Sequence, residues 1–107
     1  MNNKIKFIAS AMIWTDRKFG NTYHSLQITN TETGETIYCS LSYGYSDMYR
    51  QTALKAMHMK GWIPSHYGEK HANGSDYLCM YERENDYPIY WITNTGTKKE
   101  CVEHGKG

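Results

Sequence analysis

Three stretches of apolar and polar alternation, joined by two short polar links that each hold a glycine, fill the first two fifths of this chain. From Lys4 to Thr15 one parity carries Ile5, Phe7, Ala9, Ala11 and Ile13, and the other Lys6, Ile8, Ser10, Met12 and Trp14. A period of two belongs to a strand with one apolar face. Thr22 to Thr29 alternates again, with Tyr23, Ser25 and Gln27 against Thr22, His24, Leu26 and Ile28. Thr36 to Ser42 places Ile37, Cys39 and Leu41 on one side. The links Asp16 to Asn21 and Asn30 to Glu35 are too short for anything but hairpin turns, so the three strands form an antiparallel meander. Tyr43-Gly44-Tyr45 ends the third strand, and Ser46 or Asp47 can cap a helix over about 47–60 that stops at Gly61.

The second half is less regular. Trp62 to Ser75 reads as a long loop with Pro64, Gly68 and an Asn73-Gly74 turn. Asp76 to Glu82 alternates Tyr77, Cys79 and Tyr81 against Leu78 and Met80, and Pro88 to Thr95 alternates Ile89, Trp91 and Thr93 against Tyr90 and Ile92. These patterns predict two further strands. The expected fold is α+β: an antiparallel sheet of about five strands in the order β-β-β-α-β-β, with one helix packed on one face and the other face open. The tail from Gly96 to Gly107 offers little apolar pattern and is expected to be at most partly ordered, leaving an ordered core over about 4–95.

Composition narrows the function classes. The 107 residues are of single-domain length and carry 12 Lys and Arg against 11 Asp and Glu, a formal charge of +1. That balance provides neither the basic field of a dedicated nucleic-acid binder nor an acidic one. Ile, Leu and Val total only 13 residues, whereas Tyr, Trp and Phe total 15. An aromatic side chain buries about 150 to 250 Å², so aromatics can replace the missing aliphatic core, and those left at the surface form an interaction surface. A core this thin makes homo-oligomerisation an expectation. Charged Lys4 and Lys6 break the N-terminal apolar run, and no stretch reaches the roughly 20 apolar residues of a membrane span, so a cytoplasmic location without membrane association is expected. Cys39, Cys79 and Cys101 are odd in number and widely spaced, a poor disulfide framework.

Two strings carry candidate chemistry. In Asn21-Thr22-Tyr23-His24-Ser25, His24 shares a parity with Leu26 and Ile28, which suits a hydrogen-bonded core histidine. At the surface, the same imidazole could bond a phosphate or a carbonyl. In Tyr43-Gly44-Tyr45-Ser46-Asp47-Met48-Tyr49-Arg50, a glycine, a helix start and a guanidinium fork together make an anion or nucleotide cradle. The bland alternative is a turn and a helix cap. The candidate binding set is therefore Tyr23, His24, Tyr43, Gly44, Tyr45, Asp47, Tyr49 and Arg50. Neither a Walker A loop nor a dinucleotide fingerprint is present. His66, His71, Cys101 and His104 do not assemble a zinc-like spacing. Ser25 beside His24 is no triad, because neighbours on a strand face opposite sides. No catalytic residue, metal or cofactor is expected.

The strings IASAMIWTDRKFGNTYHSLQI and YGYSDMYRQTALKAM, followed by GW, resemble a widespread group of small bacteriophage accessory proteins with NTYHS-like and YGYGD-like strings. The likeness covers roughly residues 4–63, and Ser46 stands where a second glycine is usual. The resemblance implies a non-enzymatic protein that counters host immunity, by inhibiting a host defence protein or by sequestering a small signalling nucleotide. An RNA or single-stranded DNA binding module is the alternative, with bases stacked on tyrosines.

Overall fold

The computed structural model describes residues 5–45, 47–68 and 78–106. The three alternating segments fold as β1 (Phe7–Asp16), β2 (Asn21–Asn30) and β3 (Thr36–Tyr43), with β2 antiparallel to both neighbours. In the first link the N–H of Gly20 donates to the Asp16 carbonyl at 2.7 Å. In the second, Asn30 Oδ1 accepts from the N–H groups of Glu32 and Thr33 at 2.9 and 3.3 Å, an Asx-type closure. The helix α1 (Met48–Met59) ends two residues before Gly61, whose φ of 86° stops it.

After α1 the chain does not return as expected. It crosses one face of the sheet and comes back as β4 (Ile89–Thr95) on the far side of β1, giving the order β3-β2-β1-β4 with β4 parallel to β1. A connection that carries a helix over the sheet returns its strand parallel. The α+β class holds, but the antiparallel five-strand expectation is corrected, among the described residues, to a mixed sheet of four. Where the strand expected over 76–82 is described, the chain is helical instead: Leu78–Met80 is a 3-10 turn and α2 (Tyr81–Glu84) follows it. Leu78 and Tyr81 are both buried, and a spacing of three is helical; a short apolar run fits either period. Asp86 and Tyr87, with φ of 62° and 54°, then turn the chain into β4. Ser46, His71, the Asn73-Gly74 turn and the 76–77 start of the expected strand lie outside the described residues.

The covered face of the sheet holds Phe7, Ala9 and Ala11 of β1, Leu26 and Ile28 of β2, and Ile89 of β4, packed on Ala53, Leu54 and Met57 of α1. Ala9 and Ala11 are fully buried; having only a methyl group, they let the helix approach. Phe7 stacks on Trp62 with ring centres 5.6 Å apart. The tail also departs from expectation. Lys98–His104 forms α3, which packs on the opposite face of the sheet, so both faces carry a helix. No helix among the described residues is long and apolar enough to cross a membrane.

Candidate functional site

The pairing of β2 with β3 slips by one residue between His24 and Leu26: His24 faces Ser42, while Leu26 faces Cys39. The extra residue on β3 is a bulge, and a slip of one reverses the side-chain phase of everything beyond it. Ile37 and Cys39 therefore point to the α1 side. Tyr43, which shares their parity in the sequence, pairs with Tyr23 and points the other way. Trp14 pairs with Tyr23 from β1. The result is a row of rings on the face opposite α1. Trp14 stacks on Tyr23 at 5.1 Å, Tyr23 meets Tyr43 edge-on at 5.6 Å, and Tyr43 meets Tyr45 edge-on at 5.4 Å. Tyr43 and Tyr45 are 55% and 47% exposed, although buried aromatics would serve the core better. The Tyr45 hydroxyl lies 3.1 Å from the Gly20 carbonyl and 3.2 Å from Asn21 Oδ1, and so ties the row to the foot of the first hairpin. Interaction with the Tyr45 hydroxyl pushes the Tyr43 phenol above its ordinary pKa, which keeps it neutral.

At the Trp14 end the row opens into a cleft of about 680 Å³, formed where β1 and β4 finish side by side and α3 begins. Its walls include Ile13, Trp14 and Thr95, and its charged groups are Asp16, Arg17 and Lys98. Lys98 Nζ stands 5.7 Å from the centre of the Trp14 ring, within cation-π range. Asp16 is partly committed, because its Oδ1 accepts the Lys18 N–H at 3.0 Å. The cleft thus offers a π-face, two cations and one carboxylate in a volume typical of small-molecule sites.

The expected binding set is divided by the sheet. Tyr23, Tyr43 and Tyr45 belong to the row. His24 lies on the α1 side, 2% exposed, with Nε2 2.8 Å from Thr52 Oγ1. Thr52 Oγ1 in turn donates to the Met48 carbonyl at 3.3 Å. His24 therefore donates, and burial lowers its pKa so that it stays neutral. It is the core histidine of the two alternatives, not an anion ligand. Gly44 is a close-approach position rather than a cradle: a Cβ there would lie 2.7 Å from Met48 Cβ and 3.2 Å from His24 Cε1. Asp47 is exposed at the start of α1 and makes no side-chain cap bond. Tyr49 and Arg50 join a separate cluster. Arg50 Cζ sits 5.1 Å from the Trp91 ring centre, Tyr49 meets Trp91 edge-on at 5.7 Å, and Trp91 Nε1 donates to Glu82 Oε2 at 2.8 Å. That cluster ties α1 and α2 to β4.

Trp14, Arg17 and Lys98 are site residues that the strings did not mark. Trp14 was within reach: a four-residue turn over 17–20 sets it opposite Tyr23. The helix that delivers Lys98 also had a signal, the Thr97-x-x-Glu100 capping box. Thr97 Oγ1 accepts from the Glu100 N–H at 3.2 Å, and Glu100 Oε1 accepts from the Thr97 N–H at 2.8 Å. These bonds lower the Glu100 pKa, the backbone bond from Thr97 most. Cys101 on α3 is buried, and its thiol donates to the Met12 carbonyl at 3.2 Å. Desolvation raises its pKa against a smaller lowering from Ser25, so it remains a thiol. Among the described residues no group of three His, Cys, Asp or Glu side chains could hold a metal. Comparison with protein-family models, with curated proteins and with solved structures gives no match.

Proposed function

We propose that this chain is a small phage-type accessory protein of the host-cell cytoplasm that binds a nucleotide without turning it over, and so withdraws a signal from host defence. The observation that carries the reading is the pairing of an indole face with an ammonium group at the wall of a ligand-sized cleft. A nucleotide is a flat π-system linked to an anion. Its base can take the place of the Lys98 ammonium on Trp14, while Lys98 and Arg17 turn to the phosphate. The Asp16 carboxylate is then placed to accept from a ribose hydroxyl or a base amino group.

Calorimetry and Trp fluorescence against a panel of mononucleotides and cyclic nucleotides test this. Saturable heat and quenching are expected, lost in Trp14→Ala and weakened in Lys98→Ala. A panel that gives neither heat nor quenching up to millimolar concentration overturns the reading. A longer RNA or single-stranded DNA ligand draws support from the exposed Tyr43 and Tyr45. However, a formal charge of +1 leaves counterion release little to contribute, which favours the compact ligand.

A further inference from the structure

β4 is the outermost strand on its side of the sheet, and among the described residues nothing pairs with its free side. Native sheet edges are normally guarded by charge, proline, a bulge or a covering element. The opposite edge strand, β3, has two such guards. Its pairing with β2 is bulged between His24 and Leu26, and the end of α3 lies against it, where a Cβ on Gly105 would stand 2.7 Å from the Cys39 carbonyl. β4 has neither. Its register on β1 is unbroken from Ile89 to Thr95, no charged residue falls between Pro88 and Thr97, and α1 and α3 pack chiefly over β1, β2 and β3. On the face opposite α1, Tyr90 pairs with Ile8 of β1, and Ile92 follows two residues on. These three side chains are 58%, 37% and 37% exposed, so the open edge has an apolar flank.

The hydrogen bonds at the two ends of β4 assign its free backbone groups. The Pro88 carbonyl accepts from the Lys6 N–H at 2.8 Å, and the Gly96 N–H donates to the Ile13 carbonyl at 2.9 Å, so residues of that parity turn their backbone groups toward β1. Ile89, Trp91, Thr93 and Thr95 therefore turn theirs outward. We infer that a second copy of this chain pairs with this edge, antiparallel and about a two-fold axis at Ile92, joining two sheets into one. In that register Ile89 meets Thr95 and Trp91 meets Thr93, so every outward N–H and carbonyl of one strand finds its partner on the other. Ile92 meets its own counterpart on the axis, and each Tyr90 lies diagonal to it, within reach of an aromatic ring. The second copy fits because the row of outward groups is complementary to itself under a two-fold, and because a formal charge of +1 opposes self-association only weakly. Seven paired residues per copy, flanked by Tyr90, cover on the order of 1,000 Å² in total, the low end for a specific interface. The dimer is accordingly weak and concentration-dependent. It does not depend on the nucleotide reading.

Sedimentation velocity of the full chain from micromolar to millimolar concentration is expected to show a monomer–dimer equilibrium. Ile92→Lys and Ile92→Glu each set like charges against one another on the axis and should weaken dimerisation by at least about 10-fold. An equimolar mixture of the two variants should restore the dimer, a result that requires residue 92 of one copy to meet residue 92 of the other. Thr93→Pro removes one outward donor, leaves the β1 ladder intact and should weaken the dimer as well. Ile92 and Thr93 are both exposed, and thermal melts verify that the variants keep the fold. A wild type that stays monomeric at the highest concentration overturns the inference. A dimer that the charged variants leave intact, or a mixture that remains monomeric, overturns it in favour of another surface or register. Growth beyond the dimer overturns the closed two-fold contact in favour of open-ended association.

Discussion

The two faces of the sheet are built from alternate residues of the same strands, yet they are closed by different chemistry. Under α1 the contacts are apolar: Ala9, Ala11, Leu26 and Ile28 meet Ala53, Leu54 and Met57, and the one polar intruder, His24, is matched by Thr52. Under α3 the contacts are hydrogen bonds to backbone. Ser25 Oγ donates to the Cys101 carbonyl at 2.6 Å, Gln27 Nε2 donates to the His104 carbonyl at 2.9 Å, and His104 Nε2 lies 2.8 Å from the Ser10 carbonyl, to which it donates. The Gln27 bond satisfies an orphan carbonyl at the C-terminus of α3. Apolar burial scales with area and seals a face, whereas hydrogen bonds fix a position at a modest net gain. The α1 face therefore supplies stability, and the α3 face places Lys98 beside Trp14 with little apolar cost. The aromatic row remains accessible because the helix on its side is short and sits to one end.

The contrast can be broken at several points. Leu26→Ala, on the sealed face, is expected to cost about 2 to 5 kcal/mol, read as a drop in the urea midpoint. A loss below about 1 kcal/mol would show that this face does not carry the fold. Gly105→Ala attacks the other face, where a Cβ would lie 2.7 Å from the Cys39 carbonyl and 2.9 Å from Ser40 Cα. Both are backbone atoms and cannot move aside. The expected cost is about 1 to 3 kcal/mol, with faster amide exchange confined to 98–104 rather than spread through the sheet. Thr97→Ala removes the cap of α3 and should cost about 1 kcal/mol. Nucleotide affinity should fall with it, because Lys98 is the next residue.

Acid should act through the sealed face. Burial lowers the folded-state pKa of His24 below the ordinary value of 6.5. Between the folded and unfolded values the unfolded chain binds more protons, so stability rises with pH there. The His24 contribution is complete above about pH 6.5 and declines as the pH falls below it. Denaturation midpoints of the wild type and His24→Gln across pH 5 to 8 check this. The wild type should weaken on acidification by more than the variant, and equal slopes would remove His24 as the cause. The smallest stability effect is expected for Tyr43→Ala, about 0.5 kcal/mol or less, as for other exposed positions. Its loss would nevertheless shorten the aromatic row, and single-strand binding, where present, should weaken while mononucleotide binding in the cleft does not.

Much of the scaffold was legible in the chain because its signals are local. Strict alternation places β1, β2 and β3 to within a few residues, Asn30 and Gly20 mark the turns, and Gly61 ends α1. The candidate site was legible only in part. Tyr23, Tyr43 and Tyr45 were marked as aromatic, but their union with Trp14 depends on a bulge that alternation does not reveal. Continued in phase, β3 would turn Tyr43 toward α1. His24, Gly44, Tyr49 and Arg50 are adjacent to these residues in sequence but lie behind the sheet or beside it.

The sequence by itself determined the meander, the helix that follows it, the surplus of aromatic over aliphatic side chains and the near-neutral charge, since each depends on spacing, turn chemistry or a count. Tertiary structure alone decided the phase of β3, the parallel return of β4 beside β1, and the docking of α3. Those three depend on contacts between residues distant in the chain. The register of one strand on another, the edge a crossover reaches and the carbonyls that Ser25 and Gln27 find are set by packing partners that no local pattern identifies. The cleft between Trp14, Arg17 and Lys98 exists where the end of β1, the returned β4 and the start of α3 meet.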